Sequence, residues 1–362
     1  MRRALDLAER GWGRVSPNPM VGAVVVSAAG DVVGEGWHEG PGTPHAEAMA
    51  LERSGDRARG ATIICTLEPC DRYGRTPPCT EALIRAGVAR VVVAATDPNL
   101  GAGAPGLAAL RAAGIDVVSG VLQDESRRSN EAFERHVLTG KPFVVLKSAA
   151  SLDGKTAAAD GSSAWITSAD ARSDAQRLRA WADAIAIGSR TAIADDPALT
   201  VRDPRFPAAR PPLRVVLDGH GHVEPEGRIF SDAAPTMIAT SDATPESRIR
   251  EWERAGAEVA VLERADDGTV SLRHLLDVLG KRDVQGLLVE GGATLAWSFV
   301  REGFVDRVVL YLAPSIIGGA SAPGVIGGSG FAPLDAAPRL EIERIERIGP
   351  DLKVEARVHG DR

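Results

Sequence analysis

His45, Glu47, Cys70 and Cys79 are the residues whose types and order best suit chemistry. One imidazole and two thiolates give a zinc ion three ligands and leave a fourth tetrahedral position open, as in a catalytic rather than a structural site. A zinc ion so held makes hydroxide available near neutrality. Glu47, two residues after the histidine, is not needed as a ligand and is free to move protons. A lone His-x-Glu would mean little. Pro44-His45-Ala46-Glu47, then Glu68-Pro69-Cys70, then Pro77-Pro78-Cys79 is a far more specific signal. The bland alternative, three unrelated residues with two small core cysteines, is the lesser reading.

These residues need elements to hold them. Residues 21–26 form an apolar β-branched run, so a strand is expected there, with 31–37 returning as its hairpin partner. Helical patterns cover 46–53, 80–86, 107–113 and 123–138, and strands are expected at 61–67, 90–95 and 115–118. His45 follows Pro44, and Cys79 follows Pro77-Pro78. Both halves of the site therefore fall at helix beginnings, where partial positive charge favours thiolate over thiol. The first residues, through Trp12, read as an amphipathic helix.

The chain has 362 residues, which suggests two domains, and Gly140-Lys141-Pro142 is the expected junction. Two domains, over 1–140 and 141–362, are expected on either side of it. A net charge of -7 argues against a general nucleic-acid binder, which needs a basic face. No run reaches the length of a membrane span. With two of the three cysteines assigned to zinc, Cys65 is left as a buried thiol and no disulfide framework remains. A cytoplasmic location is expected, and self-association is left open.

After the junction a second α/β pattern begins. Strands are expected at 143–149, 184–188, 213–218, 236–240, 258–262, 284–289 and 307–312, a helix at 169–181, and a closing hairpin at 340–348 and 352–358. Glu290-Gly291-Gly292-Ala293-Thr294 joins a strand to a helix. Glycines there let backbone approach a ligand, and a helix start attracts phosphate. A tight turn without a ligand is about as good a reading of those five residues.

The His-x-Glu and cysteine order resembles the zinc nucleobase deaminases, whose glutamate shuttles protons. Eight residues separate Cys70 from Cys79, against two in the common pattern, which points to one branch of that superfamily. Along nearly its whole length the chain resembles the bifunctional riboflavin-biosynthesis deaminase-reductases. The motifs are Ser16-Pro17-Asn18-Pro19-Met20-Val21-Gly22, Pro44-His45-Ala46-Glu47, Thr66-Leu67-Glu68-Pro69-Cys70 and Thr76-Pro77-Pro78-Cys79-Thr80. In the second half they are Leu146-Lys147, Ser151-Leu152-Asp153-Gly154-Lys155, Trp165-Ile166-Thr167-Ser168, Asp195-Asp196-Pro197-Ala198-Leu199-Thr200 and Glu290-Gly291-Gly292.

The resemblance implies an α/β chain: a cytidine-deaminase-like α/β/α domain followed by a dihydrofolate-reductase-like α/β domain. It implies zinc on His45, Cys70 and Cys79, with Glu47 as proton shuttle. Asn18, His38, Arg75, Asp97 and Asn99 would line the deaminase pocket. Without the resemblance, His38 would read as a partly exposed strand-end histidine. Ala149, Trp165, Thr191, Asp195, Gly219, Gly292, Ala293 and Thr294 would hold NADPH. Ser163, Arg179, Leu199, Arg202 and Glu290 would meet a phosphoribosylaminopyrimidine substrate, the two arginines suiting its phosphate. Lys147 and Glu290 would handle protons near the reacting carbon. One position departs from the family pattern. Arg72 stands where the family has a histidine, and it cannot exchange a proton near neutrality.

Two alternatives follow. Arg72 is the sole support for a reductase with an impaired deaminase half. A zinc-stabilised binding protein would need a fourth protein ligand, and no third cysteine lies near enough to supply one.

Overall fold

Short β-branched runs alternating with glycine-ended helices build two units, Met1–Gly140 and Lys141–Arg362. The computed structural model describes residues 1–362 apart from 74–76, 101–103, 207 and 359–362.

In the first unit, β1 (Gly22–Val26), β2 (Val32–Trp37), β3 (Thr62–Leu67), β4 (Arg90–Ala95) and β5 (Asp116–Ser119) form one sheet in the order β2-β1-β3-β4-β5. β1 is antiparallel to both neighbours, whereas β3, β4 and β5 run parallel. The helices are α1 (Arg2–Ala8), α2 (Ala46–Ser54), α3 (Cys79–Ala86), α4 (Pro105–Ala112), α5 (Gln123–Ser129) and α6 (Glu131–Thr139). Ala46, Ala50, Leu83, Leu107 and Leu110 from α2, α3 and α4 pack on Val25, Ile63, Cys65, Val91 and Val93. α1 covers the opposite face, setting Ala4 and Leu7 against Val24. The layering is the α/β/α arrangement that the resemblance implies.

Two glycines bring α2 unusually close to the sheet. A Cβ on Gly34 would lie 2.2 Å from the Ala50 oxygen, and one on Gly36 would lie 2.1 Å from the Ala46 oxygen. Any side chain on this face of β2 would lift the helix that begins beside His45.

One expected helix is two. The pattern over 123–138 breaks at Asn130, which has φ -116° and ψ 19° and separates α5 from α6. Its side chain is committed to the backbone of Met20, and those tertiary bonds override local helix preference.

The second unit contains β6 (Phe143–Ser151), α7 (Ala169–Trp181), β7 (Ala184–Gly188), α8 (Ser189–Asp195), β8 (Leu213–Leu217) and β9 (Thr236–Thr240). There follow α9 (Glu246–Arg254), β10 (Glu258–Val261), α10 (Leu272–Gly280), β11 (Gly286–Glu290), α11 (Ala293–Arg301), β12 (Arg307–Ala313), β13 (Leu340–Ile348) and β14 (Asp351–Val358). The sheet order is β10-β9-β8-β7-β11-β6-β12-β14-β13. Strands from β10 to β12 are parallel, and β14 and β13 are antiparallel. Every residue of β9 and β11 is buried, as expected for parallel strands covered on both faces. Leucines 272, 275, 276 and 279 of α10 and Phe299 of α11 join that core.

The chain runs outward from β7 to β10, returns as β11 between β7 and β6, and leaves on the far side as β12. A reversal of this kind opens a crevice at the carboxyl ends of the central strands, the usual ligand position in such sheets. Among the described residues no helix is long and apolar enough to cross a membrane.

Candidate functional site

The first site is assembled from three local structures. His45 is the extended N-cap residue of α2, Cys79 opens α3 after Pro78, and Cys70 lies beyond the end of β3. His45 Nδ1 lies 3.5 Å from Cys70 Sγ and 3.3 Å from Cys79 Sγ. The Cys79 amide donates to Cys70 Sγ at 3.3 Å, so the start of α3 also steadies the other sulfur. All three ligand atoms lie within 4.8 Å of one another, and among the described residues the cluster comprises these three side chains. One nitrogen and two sulfurs at this spacing fit zinc with one position left over. Among the described residues no fourth protein ligand appears there, as a purely structural zinc would require.

Cys70 and Cys79 also interact sulfur to sulfur through a side-chain hydrogen bond. The bond to Cys79 draws the Cys70 thiol down to about 4, opposed by burial and assisted by His45. The same bond, together with burial, pushes Cys79 up. Glu47 is buried in the first turn of α2, and burial raises its carboxyl to about 7 against the charge of His45.

A cavity of about 500 Å³ opens beside this cluster, lined among others by Asn18, His38, His45, Glu47, Cys70, Arg72, Asp97 and Asn99. His38 is only 4 % exposed, so it is not the partly exposed strand-end residue that the bare sequence suggests. Burial lowers its pKa and keeps it neutral. Its Nδ1 faces the Pro44 carbonyl at 3.4 Å, and its Nε2 lies 2.9 Å from Asn18 Nδ2. A proton on Nδ1 therefore leaves Nε2 to accept from the Asn18 amide. Asp97 accepts from the Asn99 amide at 2.9 Å, and burial raises its pKa. Arg72 is exposed, and its Nη2 lies 3.4 Å from the Asn99 carbonyl. Arg75 lies outside the described residues.

Sequence reasoning missed two residues here. Glu68 is buried; its Oε1 accepts from the Gly106 and Leu107 amides at 2.9 and 3.3 Å, and its Oε2 from Asp97 N at 3.3 Å. One carboxylate thus caps α4 and fixes the segment carrying Asp97. Its place between Leu67 and Pro69, just before Cys70, was a usable signal. Phe133 of α6 also lines the cavity, and nothing local in the sequence marks it.

The second site lies at the strand ends of the other unit. Lys147 on β6 and Glu290 on β11 are register partners, so both side chains leave the sheet on one face. Arg179 of α7 grips Glu290 with Nε to Oε1 and Nη2 to Oε2, both at 2.8 Å. Burial pushes the Glu290 carboxyl up. The charge and bonds of Arg179, with Lys147 and Arg202, outweigh it and hold the group at about 2. Glu290 is thereby a fixed anion near neutrality, an arrangement that suits charge holding better than the expected proton handling. Burial lowers the Lys147 pKa, which eases proton release.

Other expected residues gather nearby. Arg179 Nη1 donates to the Thr200 carbonyl at 3.3 Å, which draws in the buried Leu199. The Arg202 amide donates to Gln176 Oε1 at 2.8 Å, and burial followed by the Arg179 charge lowers its pKa. Thr191, in α8, packs against Gly291 and Gly292, which have φ of +80° and +39°. Gly292 is the N-cap of α11, so Ala293 and Thr294 form its open first turn. Asp195 ends α8, Gly219 follows β8 and accepts from Ser241 Oγ at 2.7 Å, and Ala149 lies in β6. Ser163 and Trp165 are exposed on the segment after β6, with the Arg172 guanidinium 4.5 Å from the Trp165 ring centroid. The Ser151–Lys155 turn has a structural task besides. Asp153 accepts from the Ile317 and Gly318 amides at 3.1 and 2.7 Å, tying the loop after β12 to the end of β6.

Residues 1–95 match the family described as "Cytidine and deoxycytidylate deaminase zinc-binding region", and residues 142–354 match "RibD C-terminal domain". The riboflavin biosynthesis protein RibD of Escherichia coli K12 is 42% identical, over 97% of this chain and 96% of its own. That of Aquifex aeolicus is 41% identical over 98% and 96%. The structure described as "Acinetobacter baumannii RibD, form 1" superposes with a TM-score of 0.87 at 36% identity, covering 99% of this chain and 98% of its own. A Thermotoga maritima protein described as a diaminohydroxyphosphoribosylaminopyrimidine deaminase/5-amino-6-(5-phosphoribosylamino)uracil reductase gives 0.86 at 35% identity, covering 99% and 97%.

Proposed function

The chain belongs to the RibD family of riboflavin-biosynthesis proteins, and from that premise we propose how its residues divide the work. It is a bifunctional deaminase-reductase whose cofactors are zinc and NADPH. We propose that the first unit removes the ring amino group of 2,5-diamino-6-(5-phosphoribosylamino)pyrimidin-4-one by hydrolysis. The second then reduces the ribosyl side chain to ribityl. The observation that carries this reading is the buried carboxyl of Glu47 beside a three-ligand set in a cavity of about 500 Å³.

His45, Cys70 and Cys79 would hold zinc, which would supply the Lewis acidity that activates water. Glu47 takes the proton of the attacking water and passes it to the departing ammonia. A carboxyl whose burial sets it at about 7 can do both near neutrality. His38, neutral and fixed by Pro44, holds the Asn18 amide and leaves the Asn18 carbonyl oxygen to accept from the pyrimidine. Asp97 and Asn99 bound the same cavity. Arg72 leaves the ligand set and Glu47 intact, so a reductase-only reading is not favoured.

In the second unit NADPH supplies the hydride. The open turn at Gly291 and Gly292 and the first turn of α11 suit its phosphates, because positive φ and missing side chains let backbone amides approach. Ala149, Trp165, Thr191, Asp195 and Gly219 are proposed to complete that site. Ser163, Leu199, Arg179 and Arg202 would meet the substrate, with Arg202 the better-placed phosphate ligand because Glu290 already occupies Arg179. Lys147 donates the proton that accompanies hydride addition, and Glu290 holds Arg179 and Lys147 in place. We also propose a cytoplasmic location, motivated by two cysteines committed to zinc.

The test is to incubate purified protein with the diaminopyrimidine, with and without NADPH, and to identify the products. Ammonia release without NADPH and a ribityl product only with it are expected. Reduction without deamination would leave the reductase-only alternative standing.

A further inference from the structure

We infer that Asn130 is a positioning residue of the deaminase pocket, acting on Asn18 through the backbone of Met20. The inference rests on the reading above, in which that pocket binds the pyrimidine.

Asn130 is buried at the break between α5 and α6, far in sequence from the metal ligands. Its Oδ1 accepts from the Met20 amide at 2.7 Å, and its Nδ2 donates to the Met20 carbonyl at 2.8 Å. One side chain thus satisfies both backbone groups of one buried residue. Met20 ends the segment Pro17-Asn18-Pro19, whose prolines lack N–H groups and have nearly fixed φ. The segment is stiff, and an anchor at either end sets where Asn18 points. One end is the Asn18 amide bonded to the Val15 carbonyl at 2.8 Å, and the other is the Asn130 clamp on Met20. From there Asn18 Nδ2 reaches His38 Nε2 at 2.9 Å, inside the cavity.

The same helix pair also grips the strand that leads to Cys70. Ser126 of α5 donates to the Thr66 carbonyl at 2.5 Å, four residues before Cys70, and Thr66 Oγ1 accepts from the Gly22 amide at 3.1 Å. Phe133, three residues beyond Asn130, lines the cavity itself. The α5–α6 break is therefore a backing plate: it holds the Asn18 segment and the strand that delivers the cysteine loop. An uninterrupted helix would take the Asn130 backbone out of its observed conformation and lose the clamp.

The test uses the full-length protein in a double-mutant cycle with Asn130→Ala, Asn18→Ala and the pair. Ammonia release, zinc content and NADPH oxidation are all measured. Asn130→Ala should raise KM for the diaminopyrimidine about tenfold, the scale of a lost buried hydrogen-bonded anchor, with a smaller change in kcat. Zinc content and reductase rates should stay at wild-type values. In the Asn18→Ala background the same substitution should add less than about twofold, because the residue it positions is gone. Asn130→Asp keeps the acceptor for the Met20 amide but not the donor for its carbonyl, and should fall between; it also replaces Asn130→Ala in the cycle if that variant fails to fold. A KM within twofold of wild type, full multiplicativity with Asn18→Ala, or loss of zinc together with the KM change would each overturn the inference. A wild-type protein that released no ammonia would instead sink the functional reading on which it rests.

Discussion

Replacing Arg179 by alanine strips the paired bonds from a carboxylate that is 7 % exposed. In the folded chain Glu290 is held at about 2, against an ordinary value of 4.5. At ~1.36 kcal/mol per pKa unit, that difference corresponds to about 3 kcal/mol of stability, within the range for breaking a buried pair. The sign follows from linkage. A depressed carboxyl stabilises the fold above its unfolded pKa, and the contribution fades as pH falls through the folded value of about 2. Without Arg179, burial dominates and the carboxyl rises, opposed by Lys147 and Arg202. The deficit of the variant is then greatest near neutrality and shrinks toward pH ~5, as Glu290 takes a proton. For a unit of this size 3 kcal/mol is roughly 6–12 °C in Tm. Thermal melts of the full-length protein at two pH values measure it, with the deaminase transition as internal reference. Arg179→Met combined with Glu290→Gln should recover most of the lost stability and none of the reductase activity. Equal deficits at both pH values, or a double variant no more stable than Arg179→Ala, would refute the reasoning.

Elemental analysis should find one zinc per chain, and chelation should abolish ammonia release while NADPH oxidation with the deaminated intermediate continues. Glu47→Gln should keep its zinc and lose ~10²–10⁴-fold in deamination rate, and near-normal ammonia release would assign the proton to another group. Gly292→Val should raise the apparent KM for NADPH, because a β-branched residue is strained at φ +39° and its Cβ would lie 3.1 Å from Thr191 Oγ1. Unchanged NADPH kinetics in a folded variant would move the cofactor to another turn.

The zinc ligands were legible because few residue types bind that metal and their order is distinctive. Both glycine-ended helices and the β-branched strands were legible from period and punctuation. The break at Asn130 was not, since asparagine is only mildly unfavourable within a helix and the deciding bonds go to Met20, 110 residues away. Helices α8, α9 and α10 lay outside the expected pattern for different reasons. α8 has only seven residues, and α9 is mostly charged with Trp252 its sole buried side chain. α10 carries a readable stripe, Leu272, Leu275, Leu276 and Leu279 behind a Ser271 cap, so that helix is legible in the sequence itself. His38 needed the resemblance, because its burial depends on Pro44 and Asn18. The ionic state of Glu290 needed the fold, since Arg179 lies 111 residues from it.

The late return of β11 between β7 and β6 has a consequence for how the protein comes into being. Lys147 and Glu290 sit side by side only after residues 148–289 have been made, so the proposed reductase centre is a high-contact-order structure that closes near the end of synthesis. Among the described residues, those that line the deaminase cavity end at Phe133. At ~5–20 residues per second a ribosome needs roughly 10–45 s to make the remaining chain after Gly140, and amino-terminal domains fold as units during that time. The nascent chain can therefore assemble its metal-binding cavity while its reductase centre is still unmade, acquiring its two capacities in the order in which the substrate meets them.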